Sequence, residues 1–149
     1  MNPTRAVLRN PLQPPLRSFL AGFVASSGPE LVVNGGFADG TGWTVGAEWV
    51  IADAKASKTS AGTSLLQQAI GISVGAPYVV TFTILETTTE GAGMSFFLGQ
   101  TSGTVRTTPG TYTETVTPGL GNVLYFIARG VSGDWTGSID NVSVRASII

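Results

Sequence analysis

Seven turn signals at short, even spacing constrain this chain of 149 residues more than any other feature. They read GTGW, SAGT, VGAP, EGAG, TTPG, PGLGN and SGD. Between and around them lie eight runs with strand character: Leu31–Val33, Glu48–Ala52, Ser64–Ile70, Tyr78–Glu86, Met94–Leu98, Thr111–Thr117, Val123–Arg129 and Ser138–Arg145. Glycine and proline punctuate such a chain because they adopt turn dihedrals that other residues resist. Many short strands at this spacing predict an antiparallel sandwich or barrel. In YVVTFTILE, Tyr78, Val80, Phe82 and Ile84 fall on one face and Thr81 and Thr83 on the other. In TYTETVT, Thr111, Thr113, Thr115 and Thr117 share one face. This alternation belongs to strands with one buried and one solvated side.

One run departs from that period. In GSIDNVSV, Ile139 and Val142 are three residues apart, whereas Val142 and Val144 are two apart. All three reach the core only if a bulge absorbs one residue near Asp140–Asn141. The expectation is that such a bulge turns Asp140 inward or toward an edge, where it needs hydrogen bonds or a cation.

The residue inventory excludes several chemistries. The chain has neither cysteine nor histidine. Cysteine nucleophiles, disulfides, histidine bases and the usual zinc sites are therefore absent. Residues 30–149 carry nine acids against five bases, which argues against a nucleic-acid-binding face. No apolar run is long enough to cross a bilayer. Glu86 and Glu90 are a conceivable glycosidase pair, but they flank TTTEG, where solvated acids are expected, so the expectation is no enzyme. The NVS sequon at 141–143 falls inside an expected strand and carries no weight.

Residues 1–29 read differently from the rest. They hold Arg5, Arg9 and Arg17, no acid, and a proline-rich stretch from Pro11 to Pro15 expected to be extended. Leu16, Phe19, Leu20, Phe23 and Val24 suit one or two helical turns with an apolar face. The segment SFLAGFVASS has the outline of a signal peptide, but its apolar part is short and follows Pro14 and Pro15. The expected organisation is an anchoring arm over 1–29 and a β-domain over 30–149.

LVVNGGFADGTGW, residues 31–43, invites comparison with a phosphate loop. No lysine follows at the Walker spacing and no helix follows for a dinucleotide fingerprint, so the glycines serve tight turns and close packing. Trp43 is expected to plug one end of the core, and Gln68 to be a core glutamine satisfied by backbone.

NGGF…GW, SLLQQAI followed by VGAPYVVTF, and the closing GSIDNVSV resemble the carbohydrate-binding module superfamily of families 4, 9 and 22 over residues 30–146. Similar domains occur in bacteriophage head and tail-fibre proteins. The resemblance implies a jelly-roll of two antiparallel sheets. It implies a structural calcium on Asp140 with Asp39 beside it. This chain departs from the pattern at Ala38, where an acidic residue usually follows the aromatic. The alternative is an Asp140 satisfied by backbone amides. Sugar contact needs exposed aromatic faces, for which the candidates are Trp135, Tyr125, Trp49 and Tyr112, with Arg129 on the face of Tyr125. Tyr125 shares its strand face with Val123, Ile127 and Arg129, opposite Leu124 and Phe126, so both faces of that strand are apolar. A neighbour covers the outer one or it is a binding surface.

The functional expectation is a non-enzymatic virion structural protein, a homo-oligomer docked to a capsid or tail lattice by Arg5, Arg9, Arg17, Leu16, Phe19, Leu20 and Phe23, with host polysaccharide as a further partner. The first alternative is a secreted carbohydrate-binding module; the second is a ligand-free capsid cement protein.

Overall fold

The computed structural model describes residues 27–130 and 134–148. Nearly all of the arm, with every docking residue named above, lies outside the described residues. The described chain contains no helix and folds as two antiparallel sheets packed face to face. The strands are β1 (Ser27–Glu30), β2 (Thr44–Val45), β3 (Trp49–Ala52), β4 (Lys55–Lys58), β5 (Leu66–Ala69) and β6 (Tyr78–Thr87). They continue with β7 (Gly93–Leu98), β8 (Thr101–Ser102), β9 (Gly110–Val116), β10 (Val123–Arg129) and β11 (Gly137–Ser147). One sheet runs β3-β4-β11-β6-β9, with β1 joining β11; the other runs β2-β5-β10-β7-β8. The fold is an all-β sandwich of jelly-roll type, as expected.

Alternation builds the core. Val80, Phe82 and Ile84 of β6 are buried, as are Leu124 and Phe126 of β10 and Met94, Phe96 and Leu98 of β7. Phe82 packs edge-on against both Phe96 and Phe126, at 5.7 and 5.6 Å between ring centroids, and so ties the sheets together. The bulge in β11 is present. Thr83 pairs with Asp140 and Thr81 with Ser143, so two residues oppose Phe82, and Asn141 takes a φ of 53°. Ile139, Val142 and Val144 all reach the core as a result. Asp140 does not turn inward. It pairs with Thr83 on the outer face, and its Oδ1 accepts the Asn141 amide at 2.7 Å.

The glycine-rich stretch forms a corner. Asn34, at φ 56°, donates from Nδ2 to the Asp39 carbonyl at 2.6 Å and to Asp39 Oδ1 at 3.0 Å. Trp43 Nε1 donates to the Asn34 carbonyl at 3.0 Å, and its ring meets Phe37 at 5.1 Å and Phe126 at 6.5 Å. Trp43 thus closes one end of the core. A Cβ on Gly35 would clash with the Val142 carbonyl oxygen, so only glycine lets the corner close on the bulge. Gln68 behaves like a strand partner: Oε1 accepts the Val33 amide at 2.7 Å and Nε2 donates to its carbonyl at 2.9 Å.

Four strands, β1, β2, β4 and β8, were not among those expected. β2 and β8 have two residues each, too few to show a period. β4 reads KASK, with no large apolar residue, and it forms because the Asp53–Ala54 turn folds it back on β3; both turn residues have φ above 50°. Leu31–Val33 is not a strand, although the Leu31 amide still bonds the Val144 carbonyl at 2.9 Å. The boundary expected between residues 29 and 30 falls inside β1, which pairs Ser27 with Ser147. Glu30 fastens that pairing. Its carboxylate accepts the Ser143 hydroxyl at 2.6 Å and the Val32 and Val144 amides at 3.0 and 2.9 Å, and it pairs with Arg145 at 3.4 Å. Burial alone would raise its pKa, but these donors together hold the carboxyl below its usual range.

Candidate functional site: the outer face of the five-stranded sheet

Leu124, Phe126 and Ala128 point into the core, so Val123, Tyr125, Ile127 and Arg129 stand on the opposite face of β10, each half-buried. On β7 the inward Met94, Phe96 and Leu98 leave Gly93, Ser95 and Phe97 on the same outer face. Register then assembles one row across all five strands. Thr44 pairs with Gln67, Gln67 with Tyr125, Tyr125 with Phe97, and Phe97 with Ser102. The Tyr125 and Phe97 rings stack at 4.8 Å, within 8° of parallel. The Arg129 guanidinium lies 5.7 Å from the Phe97 ring centroid. A polar residue or hydroxyl thus flanks an aromatic pair on each side.

Packing beside the pair is close. A Cβ on Gly93 would meet Val105 Cγ1 at 2.7 Å, so the glycine lets the Val105 side chain lie against β7. Val105 itself is exposed. Ser95, opposite Ile127, is fully buried, and its Oγ has no hydrogen-bond partner. An unpartnered buried hydroxyl costs about 1–3 kcal/mol.

The structure brings together Tyr125 and Arg129 from the expected sugar-binding set and places Trp135, Trp49 and Tyr112 elsewhere. Trp135 is fully buried and Trp49 nearly so; their rings meet at 6.2 Å at one end of the core. Trp135 donates to Thr87 Oγ1 at 3.4 Å, and a Cβ on Gly137 would meet its ring at 2.6 Å. Neither ring has a free face for a sugar. Tyr112 belongs to the inner side of β9. Phe82 packs on it at 5.7 Å, the Arg106 guanidinium covers it at 4.4 Å, and its hydroxyl donates to the Thr108 carbonyl at 2.7 Å. Phe97 is the site residue that sequence reasoning missed. Its signal was the period of β7: if Met94, Phe96 and Leu98 are core, Phe97 is outside.

The two carboxylates expected to hold calcium, Asp39 and Asp140, each accept donors close by. Asp39 Oδ1 already accepts Asn34 Nδ2 and the Thr41 amide at 2.8 Å; the Thr41 backbone bond leads in lowering its pKa. Asp140 accepts the Asn141 amide. No group of three or more acidic side chains gathers among the described residues, whereas calcium takes six to eight oxygens.

Two surface cavities lie elsewhere. One, of about 340 Å³, is lined by Ser57, Lys58, Thr59, Glu86, Thr88, Thr136 and Gly137. Its Lys58 is almost wholly buried; burial lowers its pKa, against the pull of Glu48 and Asp134. The other, of about 270 Å³, contains Glu90 and Asp134. Glu86 and Glu90 therefore line different cavities.

No protein-family model matches the chain, and no curated protein matches it. Similar folds among solved structures include the mannan-binding module from Man5C in bound conformation. It has a TM-score of 0.50 and 16% identity over 72% of this chain and 93% of that one. A family 16 carbohydrate-binding module gives 0.48 and 14%, over 76% of this chain and 98% of that one. A CBM35 from Paenibacillus barcinonensis gives 0.42 and 16%, over 76% and 95%. At 16% identity the likeness to the mannan-binding module is one of fold: the two chains share a β-sandwich architecture.

Proposed function

We propose that this protein is a non-enzymatic carbohydrate-binding module that holds a glycan on the outer face of its five-stranded sheet. The observation that carries this reading is the Tyr125–Phe97 pair, stacked at 4.8 Å in the middle of the row that crosses the sheet. A pyranose presents apolar C–H faces that pack on aromatic rings, while its hydroxyls require polar partners at the rim. Gln67, Thr44 and Ser102 are placed to supply those partners. The fold shared with a mannan-binding module supports the same reading.

Of the functions expected from sequence, the carbohydrate-binding module is thus better supported than the virion component that stood first. The virion reading draws on residues 1–29 and gains nothing from the structural neighbours.

Affinity electrophoresis through soluble polysaccharides, mannan among them, tests the proposal. The protein is retarded by at least one polymer. Tyr125→Ala and Phe97→Ala each weaken that binding by about tenfold, or ~1.4 kcal/mol, with circular dichroism unchanged. A protein that migrates freely through every gel, or variants that bind as the parent does, would sink the idea.

A further inference from the structure

Five cationic side chains belong to the described residues, and four are engaged. Arg106 pairs with Glu114 at 3.1 Å, Arg145 with Glu30 at 3.4 Å and Lys55 with Glu86 at 3.5 Å. Lys58 donates from Nζ to the Ser60 carbonyl at 2.6 Å. Arg129 alone among them makes neither an ion pair nor a hydrogen bond; its one contact of this kind is with the Phe97 ring. Glu90 and Asp134 line the cavity beside Gly130, one residue along the chain, yet neither comes within ion-pair range of it.

The surroundings of Arg129 are unusual for a lone cation. It stands half-buried on a face whose other outward residues include Gln67, Phe97, Ser102, Tyr125 and Ile127, with no acid on the row that crosses the sheet. Partial burial strips water from the guanidinium, and the aromatic ring orients it. The unpartnered Ser95 Oγ belongs to the same face, between Gly93 and Phe97 on the strand that pairs with Arg129. A planar fork of N–H groups held beside a stacked aromatic pair matches one chemistry best, a carboxylate taken bidentately.

We infer that the glycan bound here is acidic: a uronate polysaccharide, with one ring on Tyr125 and Phe97 and its carboxylate on Arg129. This rests on the reading of the face as a glycan platform. It adds that the platform selects by charge, with Arg129 as the specificity-determining residue.

The test titrates the full chain with alginate and with polygalacturonate, each beside its carboxyl-reduced, neutral form, at two salt concentrations. The expected result is that at least one native uronate binds about tenfold more tightly than its reduced form, and that added salt narrows the gap. Arg129→Gln abolishes the preference, so that native and reduced polymers bind alike. Arg129→Lys restores only part of it, because an ammonium cannot present two parallel donors. Equal binding of native and reduced polymers, or a preference that survives Arg129→Gln, overturns the inference. If Tyr125→Ala still weakens neutral binding in that case, the platform reading stands without it. Failure to bind any polymer, native or reduced, removes both.

Discussion

The two sheets turn different surfaces outward. On the six-stranded sheet, Thr81 and Thr113 share a hydrogen bond at 3.0 Å, and Thr83 and Thr111 one at 2.9 Å. Thr115 extends the same row of β9, and Ser143 lies opposite Thr81. Each of those four threonine hydroxyls has a protein partner, and no aromatic ring rises from the described strands of that face. On the five-stranded sheet, a stacked aromatic pair sits beside an unpaired arginine and an unpartnered serine. The first face pairs these hydroxyls with one another, although Val50 and Leu85 are exposed on it. The second gathers an aromatic pair and an unmatched cation, and so carries groups that a ligand can engage. The difference shows how one strand alternation, applied twice, gives a solvent-facing surface and a candidate binding surface on opposite sides of a common core.

Removing the rings breaks the comparison most severely. Tyr125→Ala with Phe97→Ala makes the second face as featureless as the first, and glycan retardation falls by more than tenfold in electrophoresis. The loss of acidic preference in Arg129→Gln comes next. Acid probes the side that is satisfied. Because the Glu30 carboxyl is held below its usual range, its contribution is complete above the unfolded-state value, near pH 4. That contribution fades as pH falls through the folded-state value. Hydrogen exchange should therefore show the amides of Val144 and Val32 losing protection below about pH 4, before those of β10. Unchanged relative protection would remove Glu30 from that role.

The smaller effects sharpen the contrast. Ser95→Ala deletes a buried hydroxyl that has no partner, and the midpoint of chemical denaturation should rise by an amount worth about 1 kcal/mol. Thr81→Val with Thr113→Val removes both partners of a satisfied bond while keeping their shape. That pair should change stability by less than about 0.5 kcal/mol and leave glycan binding intact. A Ser95→Ala variant less stable than the parent would mean the hydroxyl is engaged after all.

How much of this was legible in the sequence depends on what each segment reveals locally. β10 has the bounds expected of it, because VLYFIAR is a clean alternation between turn signals. The bulge near Asp140 followed from one irregular spacing. β4 was hidden because a strand formed by a turn and a neighbour needs no apolar period of its own. The site was half legible. Tyr125 and Arg129 stood out because they share a strand with core residues on the opposite face. Phe97 was legible only through the period of β7, in which an inward Met94, Phe96 and Leu98 leave it outside. Trp135 misled for the opposite reason: SGDWTG reads as an exposed turn, but Gly137 leaves room for the indole to lie within the core. Exposure of an aromatic is settled by what packs over it, and the ring that meets Trp135, Trp49, is far away in sequence.

The pairing of β1 with β11 also has a mechanical meaning. Ser27 and Ser147 sit opposite each other in an antiparallel ladder, so the chain enters and leaves the sandwich at one corner. A pull applied between these two residues meets the ladder bonds one after another, as in opening a zip, and does not shear them together. The Glu30 clasp, three residues in, is the first firm obstacle that such a pull encounters. A body anchored through this corner hangs as a pendant, and under load it peels from its first strand while the face bearing Tyr125 and Phe97, on the other sheet, keeps its shape.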